Sequence, residues 1–190
     1  MISNYTTGTV YDFYNKCCAY GEEINTVNTF SSDRIEKAIA FSDEDNKWTE
    51  FFLPEIVDIP TQKPDIEGIL EVNSRVIIIS QRVIKTPLVT GGNAGEIITN
   101  SECTRLTGRK LVIEGFLIQK VIYTAAVESQ SIHSADFSMP FSTFIIIDKD
   151  TPLSQKYRIT PYIEDIFSCR LSERSVFKNT TIFIKASKIC

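Results

Sequence analysis

The chain holds one histidine and no surplus of positive charge: 20 lysines and arginines stand against 24 aspartates and glutamates, a formal net charge of -4. General nucleic-acid binding needs a basic face that neutralises phosphates, and an anionic membrane surface asks for the same. Neither is expected as a partner. Long hydrophobic runs are missing too. The apolar stretches Val76–Ile79 and Phe144–Ile147 are far too short to span a bilayer, and the first residues show no basic segment leading into an apolar core. The expectation is a protein made in the cytoplasm without a signal peptide.

No C-x-x-C pair occurs, and a single histidine cannot complete the usual metal-ligand sets, so no metal and no cofactor are expected. Asp43-Glu44-Asp45 has neither the spacing nor the central glycine of a calcium loop. The glycines around Thr90–Gly95 are not followed by the Lys-Ser/Thr pair of a phosphate-binding loop. There is no G-x-S-x-G elbow. Ser131 and Ser134 flank His133, but neighbours on a strand point to opposite faces, and a nucleophile–base pair also needs an orienting acid. His133 reads as a hydrogen-bonded structural residue. No catalytic residues are assigned, and an enzyme is not expected.

An apolar fraction of 43% and 190 residues are enough for one good core. The first 45 or so residues differ from the rest: they are polar, weakly periodic, and rich in Thr, Asn, Ser and Tyr. A segment this polar buries too little to fold alone. It reads as an N-terminal arm, residues 1–45, with one or two turns of capped helix at Ser31–Ile39. Tyr5, Tyr11, Phe13, Tyr14 and Tyr20 are the arm's anchors. They either pack on the chain's own domain or add to a sheet edge of a neighbouring copy, and the second is the expectation.

From residue 46 to 190 the signal is β. Trp48–Val57 is a strand interrupted by Pro54, suited to an edge or a bulge. Pro64–Leu70 has a proline near its start and reads as a short helix. Arg75–Thr86, Lys110–Tyr123, Phe137–Ile147, Tyr157–Leu171 and Val176–Ala186 are strands, with a long loop over Leu88–Gly108. Gly115 marks a bulge or a close approach. Phe51, Phe52, Phe116, Phe137, Phe141 and Phe144 read as sheet core, and in the last strand Ile182 and Ile184 share a face opposite Phe183. The expected class is all-β, an antiparallel sandwich or open barrel.

Five cysteines, at 17, 18, 103, 169 and 190, leave at least one thiol unpaired within the chain or paired between chains. Cys103 and Cys169 read as reduced cytosolic thiols. Cys17, Cys18 and the last residue, Cys190, occupy places that are normally mobile and are the candidates for an intersubunit disulfide.

Several stretches are similar to a known family. Phe51–Glu55, Gln62–Leu70, Val83–Pro87 and Leu106–Gly115 resemble the SPOCS domain of spore coat and spore morphogenesis proteins, as do Gln130–Ala135, Pro140–Ile145 and Tyr162–Ile166. The resemblance covers Trp48 to Ser187. It implies a β-rich assembly module of bacterial spore outer layers, with no catalytic residues to carry over. The peptidoglycan-binding LysM module of larger members has no counterpart here. The resulting expectation is a self-assembling, disulfide cross-linked subunit of coat, exosporium or spore-surface appendage. Its partners would be copies of itself and other spore coat proteins. The alternative is a non-polymerising module that recruits other coat proteins.

Overall fold

The computed structural model describes residues 46–91, 96–97 and 105–189. They form β1 (Asn46–Asp58), β2 (Ile66–Leu88), β3 (Thr90–Gly91), β4 (Glu96–Ile97), β5 (Thr107–Ala125), β6 (Ile132–Ile146), β7 (Tyr157–Arg170) and β8 (Ser175–Lys188). Among the described residues there is no helix, so none long and apolar enough to cross a membrane. Val and Ile recur through the long strands, where branched side chains fit a pleated, half-buried surface.

Two three-stranded antiparallel sheets carry the fold, ordered β1-β8-β7 and β2-β5-β6, with β3-β4 as a small separate ladder. The sheets face each other, β2 against β7 and β1 against β6, without a hydrogen-bonded ladder between them. The domain is therefore an antiparallel sandwich and not a closed barrel. Along β5 the residues Leu111, Ile113, Leu117, Val121 and Tyr123 are buried at alternate positions, and Ile182, Ile184 and Val176 of β8 meet them from the opposite sheet.

Side chains close the seam between β2 and β7. The Gln81 amide donates to the Tyr157 carbonyl at 2.6 Å and accepts from the Tyr157 N–H at 2.9 Å. One side chain thus replaces a rung of ladder. Arg174 gathers the connection between β1 and β2: its Nη2 donates to the carbonyls of Ile59, Pro60 and Lys63 at 3.1, 2.7 and 3.1 Å, and its Nη1 pairs with Asp65. These fixed donors satisfy carbonyls that no strand reaches.

The helix expected at Pro64–Leu70 does not form. β2 begins at Ile66, whose N–H donates to Glu173 at 2.7 Å while its side chain is fully buried with that of Ile69. Tertiary burial overrides the local proline signal. The strand expected from Arg75 is therefore longer by nine residues at its start. β2 also accommodates four register shifts against β5, at Ile66/Gly68, Ile69/Glu71, Ile78/Ser80 and Lys85/Leu88. Each extra residue bends and twists the strand.

Gly115 combines both sequence readings. It pairs with Ile78 beside the shift at Ile78/Ser80, and a Cβ there would lie 2.4 Å from the Ile77 carbonyl oxygen and 2.7 Å from Phe141 Cζ. The core reading of the aromatics holds for only part of the set. Phe51, Phe137 and Phe141 pack into the core, but Phe52 and Phe144 are exposed and Phe116 lies half-buried on the outer side of β5. Their place in the pleat decides this, because each sits one residue out of phase with the inward set. Phe183 does face away from Ile182 and Ile184, yet it is buried, with the rings of Trp48 at 5.6 Å and Tyr162 at 6.0 Å from its own. The region expected as a loop carries the β3-β4 ladder, and Gly92–Gly95 lie outside the described residues, as does the Ser31–Ile39 helix.

Candidate functional site

The arm residues Tyr5, Tyr11, Phe13, Tyr14 and Tyr20 lie outside the described residues, as do Cys17, Cys18, Cys103 and Cys190. Cys169 is wholly buried on β7 and is disulfide-bonded, which corrects the reading of this position as a reduced thiol. His133 stands on β6 with its Nε2 3.0 Å from Ser131 Oγ and its ring 6.0 Å from that of Tyr123. Ser131, two residues before His133, therefore shares its face, which corrects the expectation that both flanking serines point away; among the described residues no carboxylate hydrogen-bonds the imidazole. No group of three or more His, Cys, Asp or Glu among them is placed to hold a metal ion.

A second cluster was invisible in the sequence. Glu55 of β1 and Lys178 of β8 are directly paired across their sheet, and both side chains are nearly or fully buried, 6% and 0% exposed. Facing them, Gln119 of β5 is paired with Ser74 of β2 on one side and Phe137 of β6 on the other. The groups converge. Lys178 Nζ lies 3.3 Å from Glu55 Oε1, and Gln119 Nε2 donates to that same oxygen. Ser74 Oγ donates to Gln119 Oε1 at 3.5 Å, and the Lys178 amine sits 5.1 Å from the centre of the Phe137 ring. Burial pushes the Lys178 amine below the usual lysine range, and the Glu55 carboxylate offsets part of that shift. The Nζ has no hydrogen-bond partner of good geometry. Lys178 and Glu55 lie 123 positions apart, so only the β1-β8 register brings them together.

The outward surface is apolar in places. On β1, Trp48, Phe52 and Ile56 alternate along the outer face and are exposed by 54%, 64% and 45%. β1 pairs with β8 on one side only and β6 with β5 on one side only, so each ends its sheet among the described residues. Ile79 projects at the β2 bulge and Ile132 at the start of β6, exposed by 60% and 68%.

Residues 65–171, more than half of the chain, match the family described as SipL, SPOCS domain. The chain belongs to the SPOCS domain family. No curated protein and no solved structure gave a match. Membership points to a spore-associated role and location. The matched part of this SPOCS chain runs from the approach to β2 through β7 and includes Ser74, Gln119 and Phe137. β1 and β8 lie outside the match although they supply two of the three strands of one sheet, and with them Glu55 and Lys178.

The carboxylate of Glu164 carries a readable pH dependence. Glu164 sits at the β7 bulge between Ile163 and Asp165, and burial, with the nearby Glu50 charge, holds it above the ordinary value of 4.5. A raised folded value means the native state binds the extra proton. This contribution is fully present below 4.5 and is lost as pH rises through the folded value. Glu164→Gln is expected to stabilise the domain at pH 7, by under about 1 kcal/mol for so accessible a group. Thermal melts in acid should show that advantage shrinking toward pH 4.5; a constant advantage would remove the electrostatic cause.

Proposed function

We propose that this chain is a structural, self-assembling subunit of the bacterial spore envelope or of a spore-surface fibre. The observation that carries the reading is the outer edge of β1. It is an unpaired strand edge among the described residues, and Trp48, Phe52 and Ile56 are exposed along it. An open edge offers a row of unsatisfied N–H and C=O groups, a template for an added strand. In this reading the aromatic arm, residues 1–45, supplies that strand to an adjacent copy. Such a head-to-tail contact propagates into rings, filaments or sheets. Cys17, Cys18 and Cys190 then fix the contact covalently once the surroundings become oxidising. Family membership supports the setting, coat, exosporium or appendage, reached from the mother-cell cytoplasm.

Negative-stain microscopy of the purified full chain tests this, beside non-reducing gels run with and without reductant. Ordered filaments or sheets are expected, with a ladder that collapses on reduction. The variant Phe52→Lys, changed at an exposed position, is expected to keep the β-sheet circular dichroism and lose the ordered assemblies. A wild-type chain that stays monomeric in both measurements would sink self-assembly and leave a module that recruits other coat proteins. Ordered assemblies without a ladder would remove the disulfide lock alone.

A further inference from the structure

The cluster at Lys178 holds more than an ion pair. It places an amine, a primary amide, a carboxyl group and a hydroxyl donor in one buried site between two sheets, under an aromatic ring. Amines and amides are ordinarily inert toward each other because the amine is protonated, the amide carbonyl is unpolarised and ammonia leaves poorly. Each obstacle is addressed here. Burial favours the neutral form of the Lys178 amine. The Ser74 hydroxyl donates to Gln119 Oε1, where negative charge would develop. Glu55 Oε1 touches both nitrogens, 3.3 Å from Nζ and accepting from Nε2, so one carboxyl group reaches both the attacking and the leaving atom. Water is kept out, since the Lys178 and Gln119 residues are 0% and 1% exposed.

We propose that Lys178 and Gln119 join spontaneously in an isopeptide bond, with Glu55 as the proton-transferring catalytic residue. The Glu55 carboxylate takes a proton from the Lys178 ammonium. The freed Nζ lone pair attacks Gln119 Cδ, and the carbonyl π electrons move to Oε1 beside the Ser74 hydroxyl. Glu55 passes its proton to Nε2 and receives another from the Nζ that has attacked. The oxyanion re-forms the carbonyl, the Cδ–Nε2 bond breaks and ammonia departs. One C–N bond forms, one breaks, and no oxidant or reductant is used. The product ties β8 of one sheet to β5 of the other, where no backbone ladder joins the sheets. The bond would lie in the interior of a single domain, so it forms whether or not the chain assembles with its copies.

The test is the intact mass of the purified full chain, denatured and fully reduced so that disulfides do not contribute. The wild-type chain is expected to be lighter than its sequence by one ammonia, about 17 Da. Tryptic digestion should give a branched peptide joining the segments that contain Gln119 and Lys178. Glu55→Gln and Lys178→Arg should both restore the full sequence mass, with circular dichroism checking that each keeps its β signal. An unshifted wild-type mass after prolonged incubation at neutral pH would overturn the proposal whatever the variants do. A loss that persists in Lys178→Arg would also overturn it, since the ammonia would then come from elsewhere, such as an asparagine. A loss of one water instead, about 18 Da, would mean that Glu55 is the acyl group and would refute the assignment to Gln119.

Discussion

Gly115→Ala is expected to cost about 3 kcal/mol of stability, the upper part of the range for inserting a group into a packed core. The added methyl would lie 2.4 Å from the Ile77 carbonyl oxygen and 2.7 Å from Phe141 Cζ. The two neighbours differ in what they can give. The Phe141 ring is the far end of a side chain, though its residue is only 7% exposed and has little room to turn. The Ile77 carbonyl belongs to the backbone of β2, one residue before the register shift at Ile78/Ser80. Moving it disturbs the ladder on both sides of the bulge. For a domain of this size about 3 kcal/mol lowers the melting temperature by roughly 6–12 °C. Adding Phe141→Leu should recover only part of the loss, because the carbonyl contact remains. Thermal melts of the single and double variants check this, and a Gly115→Ala chain that melts like wild type would show that β2 yields freely there.

Lys178→Met should be less stable than Lys178→Met/Glu55→Gln by about 3 kcal/mol, measured by denaturant unfolding at neutral pH. Removing the amine alone strands the Glu55 carboxylate in a site where its side chain is 6% exposed. The second change removes that charge and keeps an oxygen able to accept from Gln119 Nε2. Neither chain has the amine, so the comparison is independent of any bond between Lys178 and Gln119. Equal stabilities would mean that water or a rearranged β1 reaches Glu55, and the site is less closed than it stands here. A buried ion pair often contributes little against an apolar isostere.

Much of the domain was legible from single elements. The density of Val and Ile over Arg75–Thr86 and Lys110–Tyr123 identified β2 and β5, and of the edge or bulge that Pro54 suited, the edge is what is found, since β1 ends its sheet among the described residues. Pro64–Leu70 misled because a proline near a helix start and one opening a strand look alike locally. The difference is the burial of Ile66 and Ile69, which depends on chain far away. Phe52 and Phe144 were assigned to the core by residue type, whereas the phase of the pleat points both outward. His133 offered the visible candidate for chemistry and proved to be seated against Ser131 and Tyr123. Lys178 offered nothing to set it apart from Lys185, the other basic residue of its alternating stretch, Val176 to Ala186.

The sequence by itself determined the all-β class and the family, and it marked Pro54 as an edge or a bulge and Gly115 as a bulge or a close approach, because each follows from local composition or from short ordered motifs. Tertiary structure decided which strands share a sheet, which phenylalanines are inside, and that Glu55, Lys178, Gln119 and Ser74 meet. The physical reason is the range of the interactions. Propensity and pleat alternation act over a few residues, but a cross-strand pair and a sandwich interior are fixed only when strands more than a hundred positions apart settle into one register.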